Sequence, residues 1–215
     1  MTNLLVLYSI IVTIAAIVLA VLYYGCEYFT EQLTKVKSNV DNKDYKVLES
    51  YACPSCAADQ MARINKNIDK LFNHLKKKYP DRSNVNLMIQ RYNENNVSEG
   101  PPNNGKDTSY SISKGRKVVF CLRSGNDPNK IHDLNLLMFV TLHELAHLAS
   151  TTYGHNREFM NNFKFLLIEG NNCGVYKIEN YRRYPKEFCG MKINSNPVPV
   201  EYAAQFGSEA FRNSL

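Results

Sequence analysis

Proline and glycine are scarce in this chain of 215 residues, with 8 Pro and 10 Gly, which excludes collagen-like and proline-rich architectures. Cysteine is sparse as well: six residues are too few for a small fold built on disulfides. Internal repeats and low-complexity tracts are missing. A strong charge of either sign is missing too. Twenty-six Lys and Arg against 20 Asp and Glu leave a formal charge of +6, compatible with an anionic membrane or nucleic acid and diagnostic of neither. With 44% hydrophobic and 21% charged residues, the composition is that of a folded protein. The length suits one domain plus accessory segments.

One absence is local. From Leu4 to Tyr24 there is no charged residue, and Ser9 and Thr13 are the only small polar ones. Twenty-one helical residues span about 31 Å, the thickness of a bilayer hydrocarbon core. Tyr23, Tyr24 and Tyr28 sit where an interfacial aromatic belt belongs. The run reads as a transmembrane helix. A cleaved signal peptide would have a basic n-region, a shorter apolar stretch and a small-residue cleavage site. Lys35, Lys37 and Lys43 follow the span and no Lys or Arg precedes it, which favours a single-pass protein with its C-terminal domain in the cytosol. Asn96-Val97-Ser98 is an N-glycosylation sequon that matters only in a lumen.

The expected organisation is an anchor over 1–25, a membrane-proximal tether over 26–58, a folded domain over 59–205 and a tail over 206–215. Apolar residues at Met61, Ile64, Ile68, Leu71 and Leu75 step by three and four and predict an amphipathic helix ending at Pro80. Val85, Leu87 and Ile89 alternate and predict a strand over 85–91. The Asn-, Gly- and Pro-rich stretch Asn93–Asp107 predicts a loop. Strands are expected at Ser109–Ser113 and Lys117–Arg123, around a Lys114-Gly115 turn. Asp133 is a candidate N-cap for a helix over 134–150, apolar nearly all round and therefore buried. Asn156 is a candidate cap for a second helix through Glu169, closed by Gly170, with Phe159, Phe163, Leu166 and Leu167 facing the core.

The informative motif is His143-Glu144-Leu145-Ala146-His147. Residues i and i+4 of a helix lie on one face, so both imidazoles can reach one metal ion. Glu144 is placed to act on a water polarised by that ion. A catalytic zinc site needs a third protein ligand. His155, beyond a turn ending in Gly154, is the first candidate; Glu158 and Glu169 are its rivals. Tyr153, Tyr181 and Tyr184 are candidate oxyanion donors.

The segment HELAHLASTTYGHNREF resembles the zincin metalloproteases, and within them the WLM and SprT-like groups, through Gly154, His155 and Phe159 after the HExxH motif. Metzincins do not fit, since Ser150 and Tyr153 stand where their glycine and third histidine belong. Two wider stretches, CLRSGNDPNKIHDLNLLMFVTLHELAHL and YPKEFCGMKINSNPV, resemble membrane-anchored proteins of large DNA viruses. The resemblance implies an α+β fold: a minimal zincin-like domain, a small twisted sheet packed on the HExxH helix, behind the transmembrane helix. It implies Zn2+ held by His143, His147 and His155, Glu144 as catalytic general base, and a protein substrate bound along an edge strand, for which Lys117–Arg123 is the candidate. The competing reading is a membrane-anchored structural or interaction protein, virion-associated, on a zincin scaffold with structural zinc or lost activity. Nucleic acid is not an expected partner: no DNA-binding zinc module is recognisable, and Lys76-Lys77-Lys78 and Arg182-Arg183 read as solvated faces. Cys53 and Cys56 have redox-motif spacing but no βαβ context; they are read as half a structural zinc site completed by Cys121, Cys173 or Cys189, or else as two cysteines of no special role or a local disulfide. Cys26 is an interfacial cysteine open to palmitoylation. His74 and His132 read as surface residues.

Overall fold

A computed structural model describes residues 8, 10–19, 33–102 and 108–198. The chain divides into two units, Met1–Gln32 and Leu33–Leu215. In the first, residues 8 and 10–19 form the described part of helix α1, with exposed apolar side chains. Ten of the 21 residues of the expected span Leu4–Tyr24, together with the aromatic belt, Cys26 and the tail 206–215, lie outside the described residues. Among those described, no helix is long and apolar enough to cross a membrane.

The second unit is α+β. In chain order it holds β1 (Leu33–Lys37), β2 (Asp44–Leu48), α2 (Pro54–Lys78), α3 (Ser83–Arg91), β3 (Val97–Gly100), β4 (Tyr110–Ile112), β5 (Lys117–Cys121), α4 (Leu134–Ala149), α5 (Arg157–Asn172), β6 (Lys186–Phe188) and β7 (Met191–Ile193). The first five strands form one sheet in the order β1-β2-β3-β5-β4. β2, β3 and β5 run parallel, and the flanking pairs β1–β2 and β4–β5 are antiparallel. Joining β2 to a parallel β3 requires a crossover, and α2 with α3 supplies it. β6 and β7 form a separate hairpin.

Several expectations change here. The stretch read as a tether contains β1 and β2. Its alternation is real: Tyr45 and Val47 are buried and Asp44 and Lys46 are exposed. Residues 85–91 are helical, not a strand. Val85 and Met88 are the buried positions of α3, three apart, so the alternation of Val85, Leu87 and Ile89 coincided with a helical face. The expected loop Asn93–Asp107 carries β3, which is buried throughout despite its polar sequence VSEG. Glu99 explains how. Its carboxylate accepts from Arg123 Nε at 2.7 Å and from the Leu48 amide at 2.8 Å, and both members of the ion pair are fully buried. Arg123 also donates to the carbonyls of Ala52 and Pro128. This buried pair ties together the ends of β2, β3 and β5, and removing one partner would strand the other charge.

α5 runs three residues past the expected end. Gly170 is not its cap but a helical contact: a Cβ there would stand 3.0 Å from Leu142 of α4. Among the described residues the cysteines pair as Cys53–Cys56 and Cys121–Cys189, leaving Cys173 free and half-buried, which removes the expected cysteine zinc site. Neither remaining histidine is a free surface residue. His74 Nε2 lies 2.7 Å from the buried Glu169 carboxylate, and His132 is buried, accepts from the Cys189 amide and stacks on Phe188.

Candidate metal centre

α4 starts where Asp133 accepts from the Leu136 amide at 2.9 Å and ends at Ala149. It is buried on nearly every face, as an apolar helix demands. His143 and His147 stand one turn apart with ring centroids separated by 5.0 Å. Glu144 between them is 3% exposed.

The turn after α4 is clamped from four sides. Arg91 donates to the carbonyls of Leu148 and Ser150 at 2.9 and 2.7 Å. Lys114 donates to those of Ser150 and Thr152. Asn162 donates to the Ser150 hydroxyl at 2.9 Å. Glu158, in the first turn of α5, accepts from the amides of Thr151 and Thr152 at 2.7 and 3.0 Å and from both threonine hydroxyls. Those donors, the Thr151 amide first, hold its carboxyl down to about 2. Gly154 turns the chain at φ 80° and Asn156 caps α5 through the Phe159 amide at 3.1 Å.

The result is that His155 folds back onto α4. Its Nε2 lies 3.1 Å from Nε2 of His143 and 3.2 Å from Nε2 of His147. One imidazole nitrogen either donates a single hydrogen or accepts through a single lone pair. It cannot bond both neighbours, so hydrogen bonding accounts for one of these contacts at most. A cation accounts for both. Zinc–nitrogen bonds of 2.0–2.1 Å in tetrahedral geometry separate ligand nitrogens by about 3.3 Å. The three histidines therefore fit a zinc ion, with one corner left for water or substrate. Burial, then the neighbouring imidazoles, push His143 down to about 3 and His147 to about 4, so both are neutral and able to ligate at pH 7. Phe159 floors the cluster, its ring 4.3 to 4.8 Å from all three imidazole centroids.

The rivals for third ligand are elsewhere. Glu158 is committed to the turn, and Glu169 to His74, Lys78 and Tyr79. The residue type of Glu158 was visible in the sequence; its service to the threonines was not, because it depends on how the turn folds back.

His143, Glu144 and His155 open onto a cleft of about 720 Å³ whose walls are largely apolar, with Phe139, Phe163 and Phe188 among them. The β6–β7 hairpin and the segment after it form one wall. Among the described residues Lys192 is the only Lys or Arg lining it. None of the three tyrosines proposed as oxyanion donors lines this cleft: Tyr181 is in the core, and Tyr153 and Tyr184 are exposed. The substrate strand also moves. β5 is paired on both sides, so Lys117–Arg123 cannot take an added strand; β4 is the edge, and Ser109 just before it lines the cleft.

Among curated proteins, an uncharacterised protein of Acanthamoeba polyphaga mimivirus is 32% identical over 193 residues, covering 87% of this chain and 96% of that one. This chain belongs to the same family. An uncharacterised protein of Invertebrate iridescent virus 6 is 32% identical over 109 residues, half of this chain and 53% of its own length. Both relatives of this family member are viral. No protein-family model matches the chain. Among solved structures it is similar to Wss1 from Saccharomyces cerevisiae, with a TM-score of 0.45 and 20% identity over 58% of this chain and 84% of that one. A mutant of Wss1 gives a TM-score of 0.46 at 20% identity, over 60% of this chain and 92% of that one.

Proposed function

We propose that this protein is a zinc-dependent metallopeptidase of the zincin type, with His143, His147 and His155 as zinc ligands and Glu144 as general base. The observation that carries the reading is the convergence of three Nε2 atoms at zinc spacing, on a cleft that Glu144 also lines. Zinc in such a site lowers the pKa of a water toward 7 and polarises the scissile carbonyl. Glu144 takes the proton from the attacking water and returns it to the leaving amine. Its burial beside an apolar wall keeps competing solvent away. The exposed edge of β4 aligns an extended peptide, and the phenylalanine-rich wall receives an apolar side chain next to the bond cut.

In this reading the uncharged run Leu4–Tyr24 anchors the domain at a membrane of the virus or its host. Two features bear on which side the domain faces. The lysines after the run favour the cytosol; the disulfides Cys53–Cys56 and Cys121–Cys189 are stable in an oxidising compartment.

The test is metal content and proteolysis of the full chain, beside Glu144→Gln and His155→Ala. One zinc per chain in wild type and Glu144→Gln, weakened in His155→Ala, is expected. Cleavage of a denatured protein should fall about 10²–10⁴-fold in Glu144→Gln. A folded protein without zinc overturns the reading. Zinc with no turnover leaves the structural, virion-associated role on the same scaffold.

A further inference from the structure

The β1–β2 hairpin carries a second concave site. In its register Lys35 stands directly opposite Lys46, and Lys37 opposite Asp44. All four side chains are on the exposed face. Like charges directly opposite across an antiparallel pair destabilise it. Among the described residues no carboxylate lies within ion-pair distance of Lys35 or Lys46. A groove of about 490 Å³ opens beside them, lined also by Glu94 and Asn95.

The charges around the groove do not cancel. Lys43 is held by the Glu94 carboxylate at 2.7 and 2.8 Å, and Asp44, opposite Lys37 in the register, is the other carboxylate among the described lining residues. Lys35, Lys37, Lys43 and Lys46 stand against Asp44 and Glu94 among the described lining residues, an excess of two positive charges, and the remaining polar lining is neutral amide and phenol, Asn42, Asn65, Asn95 and Tyr45. Two uncompensated point charges match a dianion rather than a single carboxylate. Lysine binds phosphate in this manner, as a point charge.

We infer that the groove between the β1–β2 hairpin and Glu94–Asn95 binds a phosphate-bearing anion, with Lys35 and Lys46 as its charge partners. The anion screens the repulsion that the hairpin otherwise carries. The same chemistry is offered by a soluble phosphate compound and by a phosphorylated lipid headgroup. The site is independent of the histidine cluster and of any activity there.

The experiment uses the full chain in neutral detergent micelles and isothermal calorimetry at low salt. Inorganic pyrophosphate is one probe and dioctanoyl phosphatidylinositol 4-phosphate the other, with dioctanoyl phosphatidylcholine as a control that should not bind. Tighter binding of the phosphoinositide assigns the source to lipid; equal or tighter binding of pyrophosphate assigns it to soluble phosphate. In both cases Lys35→Gln/Lys46→Gln should weaken binding about tenfold or more, and Lys117→Gln, an exposed lysine outside the groove, should leave it unchanged. Lys46→Glu turns the repulsive pair into an attractive one, so it should abolish binding while raising the thermal midpoint. Failure of both phosphate probes to bind overturns the inference. So does an equal loss in Lys117→Gln, which marks diffuse attraction, or undiminished binding in the double variant.

Discussion

Replacing Cys121 and Cys189 together by alanine opens the bond between the end of β5 and the turn of the β6–β7 hairpin. The two residues are 68 apart in sequence, and the enclosed loop contains α4, the turn, α5 and all three histidines of the cluster. Chain-entropy reasoning assigns such a crosslink about 4 kcal/mol of stability, through restriction of the unfolded chain. The native hairpin stays docked without it. Glu187 accepts from the Ser124 hydroxyl at 2.7 Å and the Gly125 amide at 2.9 Å, and Phe188 stacks on His132. A Cβ on Gly125 would fall 2.3 Å from the Gly190 amide nitrogen, so the two backbones touch. The loss should therefore appear in stability rather than in the folded structure. For a unit of this size it corresponds to a thermal midpoint about 10 °C lower, read by far-ultraviolet circular dichroism without reductant. Cys53→Ala/Cys56→Ala provides the comparison. That bond closes a separation of only three, worth less than about 2 kcal/mol on the same reasoning. Chemically reduced wild type controls for the missing sulfur atoms. Equal losses in the two variants, or a drop under about 3 °C for Cys121→Ala/Cys189→Ala, would refute the argument from loop length.

Other outcomes follow from the site. Glu158→Ala frees the turn that delivers His155, so zinc affinity measured by competition with a chelator should fall about 10–100-fold, as for other residues that orient metal ligands; unchanged affinity would show that Arg91, Lys114 and Asn162 hold the turn unaided. His143 and His147 fold neutral with depressed values, and the unfolded chain binds protons at about 6.5. In chelator-treated protein the stability they contribute is complete above that pH and is lost as pH falls toward 3 to 4. Urea midpoints that do not change between pH 7 and pH 4 would contradict this. Expression in a glycosylating cell decides the orientation: an endoglycosidase-sensitive mass shift lost in Asn96→Gln places the domain in a lumen, and its absence together with cleavage by added cytosolic-side protease places it opposite.

What is local is legible in the order of the residues. An all-round apolar run behind an Asp cap defines α4 and an apolar face behind an Asn cap defines α5, and the structure shows both caps bonded to helix amides, those of Leu136 and Phe159. Spacing of four on a helix puts His143 and His147 on one face whatever surrounds them. The meeting of His155 with them is different. It was only an expectation from the motif, because the approach depends on a turn held by Arg91 from α3 and Lys114 from the β4–β5 turn, residues remote in the chain. Pairing is likewise invisible locally. VSEG reads as polar loop until Arg123 arrives to neutralise Glu99 within the core. Lys117–Arg123 reads as an edge strand until β3 and β4 occupy its two sides. CxxC fits zinc or a disulfide equally until Cys121 finds Cys189. Backbone propensity and side-chain period are properties of neighbours along the chain, so sequence carries them directly. Strand order, buried charge pairing and cysteine partners arise from contacts between distant segments, whose energies exist only once the chain has folded, so no local stretch of residues encodes them.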